Sequence, residues 1–126
     1  MTKTTLIAAA MAAACASGSG PAAAHHSTAM FDASKTVTLS GTVKEFKLLN
    51  PHSWLMLDVA DAQGATVTWR IEAAGPYALS RIGIKPGVVN PGATATVTIN
   101  PMKNGASEGN LKTVTVGAQE FRIGGG

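Results

Sequence analysis

Three histidines carry the most specific chemistry in this chain of 126 residues: the adjacent pair His25-His26, and His52 inside Asn50-Pro51-His52-Ser53-Trp54. A chain that begins at His25 offers its α-amino group and a ring nitrogen to one metal ion. A further imidazole, from His52 or His26, would complete a T-shaped site, and nitrogen-rich tetragonal geometry favours Cu(II). A chain that begins at Ala23 places His25 third behind a free amine. That arrangement binds Cu(II) through the amine, two deprotonated amides and the imidazole. Either start yields a copper ligand set from His25, His26 and His52. The plainer alternative is a polar tail, since short histidine tracts are compositional hints. For His52, the alternative is a local hydrogen bond in a turn made by Asn50 and Pro51.

A second group is Trp54, Met56 and Arg70. Trp54 and Met56 have the parity opposite to Leu55 and Leu57, so they face outward beside Thr68 and Arg70. Such a face suits a small solute, a glycan or an envelope protein. Alternatively, the N-terminal segment with Met30 and Phe31 covers it, which could also bring His25 near His52. Met30, Met56 and Met102 form no methionine-rich motif for a soft metal ion and read as gap-filling or surface residues.

Catalysis has little in its favour. The lone cysteine, Cys15, falls in the leader described below, and no serine sits in a nucleophile elbow. Asp58, Asp61, Glu72 and Glu108 show no paired-carboxylate pattern, and residues 103–109 lack a phosphate-binding pattern. The expectation is a binding protein rather than an enzyme.

Met1-Thr2-Lys3 followed by the apolar run at residues 5–16 and by Pro21-Ala22-Ala23-Ala24 reads as a signal peptide over residues 1–24. Ala22 and Ala24 satisfy the small-x-small rule for cleavage before His25; cleavage after Ala22 is the alternative. This predicts a periplasmic or secreted protein of a Gram-negative bacterium, with acylation at Cys15 as a minor alternative. No transmembrane segment is expected after cleavage. The leader carries Lys3, leaving nine basic against seven acidic residues. So small and dispersed an excess argues against nucleic acid.

Residues 25–34 form an N-terminal segment, and residues 35–126 form the domain. Val37, Leu39, Gly41 and Val43 alternate with Thr36, Thr38, Ser40 and Thr42, as in a half-buried strand. Phe46 and Leu48 fall on the opposite parity, so a bulge or bend is expected, with Gly41 as a place to coil. Leu55, Leu57 and Val59 mark a second strand, Asp61 to Gly64 a hairpin turn, and Val67, Trp69 and Ile71 a third strand. Gly75 to Gly83 reads as one short helix. Ala95, Val97 and Ile99 form a fourth strand, residues 100–110 a polar loop, and residues 111–123 a last strand that doubles back at Gly117-Ala118. The expected class is all-β with one short helix, a small five-stranded OB-fold-like barrel, with a β-sandwich or meander as the alternative.

His25-His26-Ser27, Ala29 to Asp32, Gly41-Thr42-Val43, Asn50 to Trp54, Trp69 to Glu72 and Lys85-Pro86-Gly87 together resemble the domain of unknown function 6152 family. The resemblance implies an exported, β-rich bacterial domain and brings no activity with it. An aromatic is expected at Leu48 in that pattern, and a polar or acidic residue at Val88.

Overall fold

The computed structural model describes residues 28–124. In chain order the elements are β1 (Val37–Lys47), β2 (His52–Ala60), β3 (Thr66–Ala74), α1 (Pro76–Arg81), β4 (Thr94–Pro101), β5 (Glu108–Val116) and β6 (Gln119–Arg122). The strands hydrogen-bond in the order β3-β2-β1-β4-β5-β6, and a parallel pairing of β3 with β5 closes the first five into a barrel. Three strands, a short helix, then two strands, closed in this order, are the OB topology expected from the sequence. β6 lies outside the closure, paired antiparallel to β5 through the turn at Gly117.

The long first strand serves both sides of the barrel. Val37 to Thr42 pair with β4, and Thr42 to Lys47 pair with β2. The phase slip has a physical form: Val43 faces Leu57 and Glu45 faces Met56, so Lys44 is an extra residue between them. Gly41 sits at the handover. A Cβ built there would collide with the Asp58 carbonyl oxygen, a backbone contact that no side chain could relieve.

Alternation fills the barrel. Leu39, Val43, Leu55, Leu57, Ile71, Val97, Ile99, Leu111 and Val114 join in one core cluster, with Leu79 of α1 and Ile84 after it. The helix starts at Gly75 with Pro76 in its first turn, and Gly83 follows with φ of 99°. No helix among the described residues is long and apolar enough to cross a membrane.

The polar loop is shorter than expected. β4 runs on to Pro101 and β5 begins at Glu108, because Asn100 and Pro101 pair with Asn110 and Gly109 while Arg70 to Glu72 take the other edge of β5. Gly109 suits this closure: a Cβ there would meet the Ile99 side chain and lie 3.0 Å from the Asn100 carbonyl oxygen.

Candidate functional site

His52 opens β2 rather than lying in the preceding turn, and it pairs in register with Ala74. Glu72 pairs with Trp54, one step along the same face. His52 and Glu72 are therefore diagonal neighbours across the hairpin, within reach for side chains of this length. The His52 Nδ1 lies 2.8 Å from Glu72 Oε1. The imidazole is 38% exposed and the carboxyl side chain only 6%, so the pair runs from solvent into the protein. With Nδ1 held by the carboxylate, Nε2 is the nitrogen left for a ligand. Imidazoles that bind metals ordinarily donate their other ring N–H to a carboxylate, a backbone carbonyl or a water, and a carboxylate stands there in this protein.

The pair lines a cleft of about 360 Å³, along with Thr28, Phe31, Asn100, Asn110 and Lys112. Glu72 stands on the outer parity of β3, as its alternation predicts, yet it is buried, where β3 pairs with β5 and the chain ahead of β1 shares the cleft. Phe31 bridges Met102, the Asp32 amide donates to the Pro101 carbonyl, and the Lys103 amide donates to the Met30 carbonyl. Phe31 is thereby buried, and Thr28 reaches the cleft. Asn100, also buried, donates its side-chain amide to the Lys35 carbonyl at 2.7 Å and ties this segment to β4. At the segment's bend, the Ser34 hydroxyl and amide donate to the Asp32 carboxylate, and Lys35 lies 3.3 Å from it. The Ser34 hydroxyl bond above all holds the Asp32 carboxyl below its ordinary value; desolvation, the next largest effect, opposes it, and the Ser34 amide and Lys35 add to the lowering.

The second group also gathers. Met56 and Arg70 are register partners, and the Arg70 guanidinium stacks 3.7 Å from the centre of the Trp54 ring. Thr68 donates to Asp58 on the same face, and Glu108 lies 3.9 Å from Arg70. The N-terminal segment packs at Met102 and the His52 cleft; Trp54 and Met56 remain half-exposed.

Of the three histidines, His52 alone falls within the described residues; His25 and His26 lie outside them. Among the described residues no three His, Cys, Asp or Glu side chains cluster as a metal site. The sequence reading missed Glu72 as the partner of His52, and missed Asn100, Asn110 and Lys112 as cleft walls. The first was recoverable from hairpin arithmetic: a turn centred on residues 61–65 sets Trp54 opposite Glu72 and so places His52 on its diagonal. The others depend on β5 closing against β3, a contact with no local signal.

Two solved structures have similar shapes. One is the mitochondrial single-stranded DNA binding protein Rim1 of S. cerevisiae, at 13% identity and a TM-score of 0.48, with 65% of this chain and 93% of that one covered. The other is the N-terminal domain of PriB from Thermoanaerobacter tencongensis, at 16% identity and a TM-score of 0.44, with 68% and 99% covered. The OB assignment rests on the strand order described above. No curated protein matches the chain in sequence. A family model matches residues 12–112, well over half of the chain, and the chain belongs to the Family of unknown function (DUF6152).

Proposed function

We propose that this protein is a small exported binding protein of the bacterial envelope, and that it holds Cu(II) with His52 and the N-terminal histidines. One observation carries the reading. His52 presents a carboxylate-backed imidazole in a cleft whose wall includes Thr28. His26 is two residues ahead of Thr28 and His25 three, so the chain needs to span no more than about 7 to 11 Å to bring either one to the cleft. The described domain by itself supplies one histidine, and a copper site needs the remaining nitrogens from the chain terminus. A signal peptide cleaved before His25 or Ala23 would supply them together with a free amine.

Native intact mass of the exported protein, with and without one equivalent of Cu(II), tests the reading. A start at His25 or Ala23 with one retained copper, lost on deletion of His25 and His26, supports it. A different start, an acylated Cys15 or no retained metal overturns it.

A second reading makes the outer face an interaction patch for a small solute, a glycan or an envelope protein. It draws on the stacked Trp54 and Arg70 beside half-exposed Met56. Partner binding through this face would survive removal of the histidines.

A further inference from the structure

The cleft around His52 and Glu72 continues past them. Ala74, Ile123 and Gly124 form a floor that it shares with a second groove of about 340 Å³, walled by Tyr77, Leu79 and Ile82. The result is one trough with a polar end and an apolar end.

The polar end holds two side chains of opposite charge, Glu72 and Lys112. Glu72 is 4% exposed, and its carboxylate lies 2.8 Å from His52 Nδ1. A buried carboxylate is costly until a cation stands beside it. Lys112 is two residues along β5 from Asn110, the register partner of Glu72, so it stands on the same face a short step away. Among the described residues Lys112 makes no ion pair. Among the described residues the apolar end is open to solvent: Tyr77 is 75% exposed and Ile82 37%.

We propose that the trough binds a free α-amino acid with an apolar side chain. Its ammonium sits at Glu72, its carboxylate at Lys112, and its side chain along Tyr77 and Ile82. Opposite charges on neighbouring strands match a zwitterion, and both volumes lie at the lower end of the range for small-ligand sites. The proposal does not rest on the copper reading: it shares Glu72 with that reading, where Glu72 backs His52, but Lys112 and Tyr77 have no part in the copper site.

The test is calorimetric titration of the exported protein with L-leucine, with EDTA present so that copper–amino acid complexes do not contribute. N-acetylleucine removes the ammonium, leucinamide removes the carboxylate, and glycine removes the apolar side chain. Saturable leucine binding is expected, weakened about tenfold or more for each of the three, since each lost charged hydrogen bond or apolar contact is of that order. Lys112→Met should make leucine and leucinamide bind equally. Tyr77→Ala should bring leucine down towards glycine. These two positions are not buried, so they keep the proposal falsifiable if Glu72→Gln fails to fold. No saturable binding, equal binding of the blocked compounds, or glycine binding as tightly as leucine overturns it. Loss of copper binding on His52→Ala, with leucine binding retained, would separate the two readings.

Discussion

His52 Nδ1 meets Glu72 Oε1 at 2.8 Å across the diagonal of the β2–β3 hairpin, with the carboxylate on the buried side. This contact fixes which imidazole nitrogen faces outward. If the ring is a copper ligand, Glu72→Gln should weaken Cu(II) binding by about 10- to 100-fold, the usual effect of losing a carboxylate behind a metal-bound imidazole. His52→Ala should leave only the affinity of the N-terminal residues. Competition titrations against a chelator of known affinity check both, and an unchanged affinity in His52→Ala would remove His52 from the site.

Gly41 should tolerate no side chain. A Cβ there collides with the Asp58 carbonyl oxygen and lies 2.9 Å from the carbonyl carbon, so β1 and β2 must separate. Gly41→Ala should cost about 1 to 3 kcal/mol in urea unfolding, the range for overpacking. The adjacent Ser40→Ala loses only an exposed hydroxyl bond to Thr96 and should cost about 1 kcal/mol or less. Equal effects of the two would contradict the close strand crossing.

The stacked pair on the outer face has an optical signature. Arg70→Met should shift Trp54 emission and destabilise the domain by about 0.5 to 1 kcal/mol, as expected for an exposed cation–π contact. Trp54→Phe in the same background identifies which of the two tryptophans responds. Emission unchanged by Arg70→Met would mean that the stacking is absent in solution.

Single-stranded DNA should not bind this face, although a protein of similar shape is named for that property. Arg70 is already committed to Trp54, and Asp58, Glu72 and Glu108 lie around it, which repels phosphate. Fluorescence anisotropy with a labelled oligothymidine at low salt checks this. Tight binding that fades with added salt would contradict the electrostatic argument.

Asp32 gives a pH signature. Its carboxyl lies below the ordinary value of 3.8, chiefly through the Ser34 hydroxyl. A depressed folded-state value means that the stabilisation is present above the unfolded value and is lost as pH falls through the folded one. NMR titration should therefore show an Asp32 midpoint below that of an unfolded peptide, and Ser34→Ala should raise it. A midpoint unmoved by Ser34→Ala would assign the shift to another cause.

What the sequence determined by itself was local and periodic. Alternation at Leu55, Leu57 and Val59 and at Ala95, Val97 and Ile99 marks which side of each strand is apolar, and burial follows because apolar surface leaves water wherever a barrel can close over it. The change of parity between Val43 and Phe46 announced a bulge, since a two-residue period cannot shift phase without an extra residue. Pro76 and Gly83 bounded the helix through their own backbone preferences. The outward grouping of Trp54, Met56 and Arg70 followed from the same counting. Tertiary structure alone decided the site. Glu72 reads as one more polar residue on an outward face, and it lies buried in a cleft that brings together β2, β3, β5 and, from another part of the chain, Phe31 and Thr28. Lys112 and Asn110 joined the cleft because β5 closes in parallel against β3, a pairing between segments some forty residues apart that no local pattern encodes.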